Sequence, residues 1–431
     1  MSDHGPGLGV RDLLRIGDYR QLLGGQAVSD IGDGITFLLL LLVINELTGS
    51  TTALALMAIA EAVPHFTVGL VAGVYVDRWN RRTVMLAADL LRACIVMLFA
   101  VAATAELLPL LYVLGFAQAS VATFFRPARG AMLPRIVSAD GLPAANSLTQ
   151  GSIVIGTVIG AGIAGLIFGT FGSGVVGFAI ASVTFLVSFA FISRIGSAVG
   201  AIRAETHVAE RKNVRRSMLE GLAVVRGSRV LGGTLLAAAV SMLGLGAVNV
   251  LFVPLLVNDL RVDPTWMAGI ELAQTSAMIM AAGVVATLAR RARPTTVITI
   301  ALAGIGLCIG LLSGVSAVWQ VIIILFVAGW MVTPLQAMLQ TIVQTTATDA
   351  TRGRVVSLLQ ASLSTASVTS MAIGGILGDV IGIRAVFLGA AVIVLLAAGI
   401  AFLLFRGVPR PATAVVAADP GGVAWGDTEG G

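Results

Sequence analysis

The chain has 431 residues, of which 57% are hydrophobic and only 11% are charged. Soluble domains carry about 25% charged residues, so this composition excludes a soluble fold and indicates a polytopic membrane protein. The net charge of +5 comes from basic residues in many short segments between apolar runs, which indicates membrane topology and argues against nucleic-acid binding.

We expect an all-α integral membrane protein with twelve transmembrane helices, because an apolar run of about 20 residues spans a bilayer as a helix. The predicted spans are residues 21–44, 52–76, 84–104, 107–125, 146–170, 174–193, 231–257, 266–289, 295–315, 318–342, 355–380 and 384–405. Cys94 and Cys308 lie in separate spans, which gives no support to a disulfide or a zinc site.

The distribution of basic residues predicts that both termini are cytoplasmic. Most of the 27 Lys and Arg residues then lie on the cytoplasmic side, whereas Arg261 and Arg384 lie outside and Arg92 lies within a span. The predicted organisation is a cytoplasmic segment without a signal peptide, an N-terminal six-helix bundle, a cytoplasmic linker, a C-terminal six-helix bundle and a disordered tail. Their ranges are 1–17, 18–193, 194–229, 230–405 and 406–431.

An internal repeat supports two equivalent halves. Ser147–Gln150 recurs as Ser357–Gln360 at an offset of 210 residues, and Ala131–Val137 recurs as Ala337–Val343 at an offset of 206. Two parallel six-helix halves related by an axis along the membrane normal are one of the known plans of secondary transporters.

The segment between the second and third spans reads Gly73-Val-Tyr-Val-Asp77-Arg78-Trp-Asn-Arg81-Arg82. It resembles the signature loop of the major facilitator superfamily, with Tyr75-Val76 and Asn80 as departures. The resemblance implies two pseudo-symmetric six-helix bundles that alternate access, no cofactor, and a monomer. It also implies a conformational latch near the eleventh span, formed by Gly73, Asp77, Arg78, Arg81 and Arg82.

Further stretches resemble the bacterial drug-efflux and enterobactin-exporter branch. These are Ser29-Asp30-Ile-Gly32-Asp33-Gly34 and Phe124-Phe-Arg126-Pro127. The fifth span is similar to the antiporter signature, with Ala161 in place of the usual proline, and this similarity implies export. Gly156, Gly160 and Gly165 are the predicted packing residues of that span, and ordinary small-residue helix packing is the alternative reading of the pattern.

Ionisable side chains within the membrane are costly and call for a reason. The candidates for proton coupling or substrate binding are Asp30, Asp33, Glu61 and Glu271. Asp30 has the alternative of pairing with a loop arginine, and Glu271 of being solvated near the outer interface. Asp89 and Arg92 are three residues apart on one helix and are predicted to neutralise each other as a structural pair.

The predicted central cavity is mostly apolar with a few acids. Its candidate side chains are Phe37, Gln118, Asn249, Thr333 and Gln336; for the polar ones, an interhelical hydrogen bond is the alternative. The sequence contains no nucleotide-binding motif and no catalytic or metal-ligand pattern, so we expect a transporter and not an enzyme.

The predicted function is export of a hydrophobic or amphipathic, drug-like molecule from a bacterial cytoplasm by proton antiport. The alternatives are a siderophore or lysophospholipid carrier and a non-transporting receptor or scaffold. The expected partners are the small-molecule substrate, protons and the lipid bilayer of the cytoplasmic membrane, and no nucleic acid.

Overall fold

A computed structural model describes residues 9–200 and 214–406, apart from some side chains within helices. In the first half the helices are α1 (Val10–Arg15), α2 (Gly17–Thr48), α3 (Thr51–Thr67), α4 (Gly69–Arg78), α5 (Arg81–Thr104), α6 (Leu108–Ile136), α7 (Leu142–Phe171) and α8 (Val175–Ser193). In the second half they are α9 (Val214–Gly227), α10 (Arg229–Pro254), α11 (Met267–Arg291), α12 (Pro294–Leu312), α13 (Val318–Thr346), α14 (Asp349–Ile381) and α15 (Ile383–Phe405).

These helices confirm an all-α membrane protein of two six-helix bundles. Eleven helical segments in the described ranges are long and apolar enough to cross a bilayer, and α3 and α4 together form the remaining span. We call the end of the molecule at which α2 begins the terminal face, and the end at which α2 stops the distal face. Both the first and the last span have their outer ends, Gly17 and Phe405, at the terminal face.

Two spans differ from their predicted bounds. The second span is interrupted between Thr67 and Gly69, shortly after Pro64, whose missing N–H and ring weaken the preceding helical turn. The fourth span continues to Ile136, well past the predicted end at residue 125, because the arginines that suggested a loop extend the helix at the terminal face. The predicted linker contains α9, and the predicted disordered tail after Arg406 lies outside the described residues.

Close backbone contact joins α2 and α7 through glycines. A Cβ atom added at Gly160 would lie 2.8 Å from the backbone nitrogen of Ile35 and 2.9 Å from the Cα atom of Gly34. One added at Gly156 would lie 3.2 Å from the backbone nitrogen of Ile31. Small residues are required where transmembrane helices approach this closely, so these two predicted packing residues lie at a helix–helix contact within the first bundle.

We expect Gly160→Ala to lower the thermal unfolding midpoint of the purified protein. The new methyl group meets backbone atoms that cannot rotate away, and overpacking of this kind costs about 1–3 kcal/mol. Gly151→Ala is the matched control on the same helix, since nothing lies within 4 Å of its added Cβ atom. A midpoint that is equal in the two variants would contradict the close α2–α7 contact.

Candidate functional site

A buried guanidinium lies at the centre of the first bundle. The Arg92 side chain is 1% exposed and forms an ion pair with Asp33. It also donates a hydrogen bond of 3.1 Å to the hydroxyl oxygen of Ser29. The guanidinium carbon lies 4.1 Å from the centroid of the Phe185 ring, within range of a cation–π interaction. Arg92 of α5 therefore joins α2 to α8.

The predicted pairing of Asp89 with Arg92 is wrong. The hydroxyl of Ser188 on α8 donates to one carboxylate oxygen of Asp89 at 2.6 Å, and the other oxygen is buried without a hydrogen-bond partner. The guanidinium of Arg92 is directed instead to the Asp33 carboxylate of α2. Spacing along one helix brought Asp89 and Arg92 near each other, but packing between helices selected different partners for them.

Asp30, Asp33 and Phe37 follow one side of α2. The Asp33 side chain is 44% exposed and Phe37 is 49% exposed, although most of α2 is buried. Asp30 is half-buried; it accepts a hydrogen bond of 3.4 Å from Ser152 on α7 and lies within electrostatic range of Arg129. Asp30 thus lies near a basic residue, as its alternative required, but Arg129 belongs to helix α6 and not to a loop. Asp33 combines an accessible carboxylate with a buried cation.

Glu61 and Gln118 form a second polar region, between α3 and α6. Within the described ranges the Glu61 carboxylate has no hydrogen-bond partner, and both polar atoms of the buried Gln118 amide are also without one. The two helices run in the same direction, and Tyr112 donates a hydrogen bond to the Ala53 carbonyl at 3.2 Å. This register places Gln118 near the level of Glu61. Buried polar atoms are nearly always satisfied, so this level of the bundle is suited to water or a polar ligand group.

The candidates of the second bundle are in different environments. Thr333 donates a hydrogen bond of 3.1 Å to the carbonyl of Met278 on α11, which fits the interhelical alternative. Gln336 lines a cavity of about 530 Å³, and Asn249 is exposed on α10. Glu271 is half-buried near the distal end of α11.

The loop between α4 and α5 is only two residues long. Asn80 begins α5 by accepting hydrogen bonds from the backbone of Arg82 and Thr83, at 3.1 and 3.3 Å. The guanidinium of Arg82 donates to the carbonyl of Ser193 at 2.5 Å, which ties this loop to the end of α8. The predicted tight turn between the second and third spans is thus present.

The other latch residues are located less fully. Arg78 is exposed at the end of α4 and Arg81 is half-buried at the start of α5. Gly73 and Asp77 lie on α4, but their side chains are outside the described part of the structure. The predicted contact of Asp77 with the eleventh span therefore stays a prediction.

At the distal face, a carboxylate of one bundle caps a helix of the other. Asp379 on α14 accepts backbone hydrogen bonds from Thr51 at 2.8 Å and from Thr52 at 3.0 Å. The Ser50 hydroxyl adds a third bond of 2.7 Å. A carboxylate at a helix N-terminus satisfies free N–H groups and complements the positive end of the helix dipole, so Asp379 joins α14 to α3.

Two further contacts join the bundles at the distal face. The side-chain amides of Asn45 and Asn258 exchange hydrogen bonds of 2.8 and 3.0 Å. Gly165 of α7 packs against the backbone of Pro264, before α11. Together with the Asp379 cap, these contacts join the two bundles at their distal ends.

A family profile described as "Transmembrane secretion effector" matches residues 13–420 of the chain. The chain belongs to this family of major facilitator transporters. It is therefore a multi-pass membrane transporter and not an enzyme, as the signature loop at Asp77 predicted.

Efflux proteins are among the relatives of this transporter. It is 27% identical over 391 residues to "Multidrug efflux pump Tap" of Mycolicibacterium fortuitum, covering 87% of this chain and 92% of that protein. It is 26% identical over 270 residues to "Macrolide efflux protein A" of Streptococcus pyogenes, covering 61% of this chain and 64% of that protein.

Solved structures show the same fold at low sequence identity. A bacterial homologue of the iron transporter ferroportin in an inward-facing state matches with a TM-score of 0.73, 15% identity, and coverage of 91% of this chain and 99% of that chain. The nucleoside transporter NupG matches with a TM-score of 0.68, 13% identity, and coverage of 90% and 99%.

Proposed function

We propose that this transporter exports hydrophobic or amphipathic small molecules from a bacterial cytoplasm by proton antiport. The observation that carries the proposal is the Asp33–Arg92 pair, in which an accessible carboxylate is held against a guanidinium that is 1% exposed. Intramembrane acids and bases are typical of proton relays. The likeness to two efflux proteins supports export and a drug-like substrate.

The distribution of arginines between the two faces indicates from which side of the membrane the site is reached. The terminal face carries most of the arginines, which favours its assignment to the cytoplasm. The distal closure by Asp379 and by Asn45 with Asn258 then corresponds to a state open to the cytoplasm. Export requires the bundles, residues 18–193 and 230–405 in our proposal, to rock about the site while the linker 194–229 accommodates the movement. We propose that the monomer is the transporting unit.

Competition for Asp33 couples the proton to the substrate. A carboxylate in low dielectric needs a proton or a cation nearby. When a proton binds Asp33, the ion pair becomes a hydrogen bond between a neutral acid and a cation, and the affinity of this side of α2 for a cationic substrate falls. Substrate release to the outside is therefore accompanied by proton uptake, and the proton leaves when the site next opens inward. Glu61 is the second proposed proton carrier because its carboxylate has no described partner.

Proteoliposomes with an imposed pH gradient test this proposal. We expect the native protein to export ethidium, a lipophilic cation, only when the gradient is present. Asp33→Asn should reduce gradient-driven export at least about 100-fold, the effect of about 2.7 kcal/mol. Glu61→Gln should give a comparable loss if Glu61 carries a proton of the cycle, and the measured quantity is the initial rate of ethidium efflux.

The matched controls are the same acid-to-amide substitutions made outside the proposed site. Asp140→Asn and Glu106→Gln remove exposed acids in loops and should leave the rate unchanged. Export that is equally fast without a gradient, or that survives both Asp33→Asn and Glu61→Gln, would contradict proton antiport through these acids. Export of a lysophospholipid or a siderophore in place of ethidium would favour the alternative carriers.

A further inference from the structure

The glycines of α2 and α10 have equivalent helix neighbours, which indicates which residues of the two bundles correspond. Gly32 of α2 faces α8, and Gly244 of α10 faces α15. Two residues later, Gly34 faces α7 and Gly246 faces α14. Since α7 and α14 are the fifth span of their halves and α8 and α15 the sixth, the sequence Gly-x-Gly occupies the same place in α2 and α10.

The same correspondence extends to the neighbouring helices. Counting from the first residue of each helix aligns α5 with α12, and the repeat of Ala131–Val137 in Ala337–Val343 aligns α6 with α13. Six charged positions of the first bundle then meet apolar ones in the second. The pairs are Asp30 and Met242, Asp33 and Leu245, Asp89 and Leu302, Arg92 and Ile305, Arg126 and Val332, and Arg129 and Leu335.

All six apolar counterparts line one cavity of about 530 Å³ within the second bundle. At the position equivalent to Ile305 the first bundle has the buried side chain of Arg92, which is 1% exposed. The cavity volume lies in the range of ligand sites for drug-sized molecules, roughly 300–1,000 Å³. The cavity extends from Val332 to Gln344 along α13, about 18 Å at 1.5 Å per residue, and reaches the terminal face.

The polar groups of this cavity are amides and a hydroxyl. The amides belong to Gln336, Gln340, Gln344 and Gln360, and the hydroxyl to Ser241. Of the lining residues that the structure describes, Arg352 alone is charged; it lies at the terminal end, where it donates a hydrogen bond to the Gln344 carbonyl at 3.3 Å. A cation would find no carboxylate here, but a neutral molecule with carbonyl or hydroxyl groups would find donors and acceptors.

We propose that this cavity binds an uncharged apolar molecule through contact with its apolar wall and hydrogen bonds to the glutamine amides. The occupant is an uncharged transported molecule, so the inference rests on the proposed export function. In this proposal the first bundle binds protons or cations at the Asp33–Arg92 pair, and the second bundle binds a neutral substrate at the equivalent position. Gln336, Gln340 and Gln360 are exposed, so their amides are accessible to a polar atom of the substrate and add selectivity to an otherwise apolar site.

Binding of tritiated progesterone, an uncharged apolar molecule with ketone oxygens, tests the cavity by scintillation proximity on the purified protein. Leu302→Trp places a large ring in the cavity, and Gln360→Leu removes one amide at similar volume. Each should weaken progesterone binding about tenfold or more, the effect of 1.4 kcal/mol. Gln150→Leu is the matched control, because the repeat equates Gln150 with Gln360; it should not change the affinity.

Ethidium binding separates the two sites, since it should be retained in Leu302→Trp and Gln360→Leu. Progesterone that fails to bind the native protein, or that binds both variants as tightly as the native protein, would overturn the proposal. If Leu302→Trp loses its monodisperse peak on size exclusion, the comparison of Gln360→Leu with Gln150→Leu decides. If progesterone binding depends on the cavity but no probe is transported under a gradient, the export function is rejected and the binding site is retained. If ethidium is exported under a gradient but progesterone binding does not depend on the cavity, the binding site is rejected and the export function is retained.

Discussion

Asp33→Asn is expected to destabilise the transporter by about 3 kcal/mol and to stop export. Removing one partner of a buried ion pair costs about 3–5 kcal/mol because the other charge stays desolvated. The lower end of this energy range applies here. Arg92 is 1% exposed, but the Asp33 side chain is 44% exposed, so water near Asp33 partly solvates the charge that is left unpaired. The remaining Ser29 hydroxyl and Phe185 ring stabilise the cation without neutralising it.

A second substitution separates stability from function. Adding Arg92→Met to Asp33→Asn removes the unpaired charge and keeps most of the volume against Phe185, so the thermal unfolding midpoint should return towards that of the native protein. Export should remain absent in the double variant, because no carboxylate is left at this position to bind the proton. The measurements are the unfolding midpoint in detergent and ethidium efflux from proteoliposomes.

An exposed ion pair provides the control. Arg384 and Asp259 are 3.1 Å apart, with side chains 43% and 32% exposed, and such surface pairs contribute about 0–1 kcal/mol. Arg384→Met should therefore change the midpoint much less than Asp33→Asn. Equal effects of the two substitutions would show that the Arg92 pair is no more desolvated than a surface pair, and a double variant that exports would remove Asp33 from the coupling mechanism.

Helix number and fold class could be predicted from the sequence because the bilayer sets the length of each apolar run. Helix ends were less predictable where a helix continues beyond the apolar run through charged residues, as α6 does after Arg126. The interruption of the second span after Pro64 has a local signal, but a proline within a membrane helix is compatible with either a kink or a break.

Partners across helices could not be derived from spacing. Asp30, Asp33 and Arg92 were identifiable as costly intramembrane charges, yet the ion pair between Asp33 and Arg92 depends on how α2 packs against α5. The cavity of the second bundle had no motif of its own. In the sequence, the cavity corresponds to positions that are charged in the first half of the repeat and apolar in the second. This exchange can be recognised only after Gly32 and Gly34 are aligned with Gly244 and Gly246.

The distal cap supports the second large prediction, a conformational one. Asp379→Asn should increase the ratio of distal-open to distal-closed molecules about 30-fold, because hydrogen bonds to a charged acceptor contribute about 2 kcal/mol more than their neutral replacements. The carboxylate accepts bonds from Ser50, Thr51 and Thr52 only while α3 and α14 are together at this face, so its charge acts on one side of the equilibrium. A ligand or contact shifts a two-state equilibrium only through such a difference.

Spin labels on the distal ends of α7 and α11 measure this shift. Cysteines at Thr170 and Trp266, which are exposed, would be introduced after Cys94 and Cys308 are replaced by alanine, and the distance distribution recorded by pulsed electron resonance. Asp379→Asn should transfer intensity to longer distances. Asp259→Asn is the control, since this acid pairs with Arg384 inside one bundle and its loss should leave the distribution unchanged. If Asp379→Asn also leaves it unchanged, the cap does not hold the bundles together, and the Asn45–Asn258 bonds and the Gly165 contact are sufficient to keep the distal face closed.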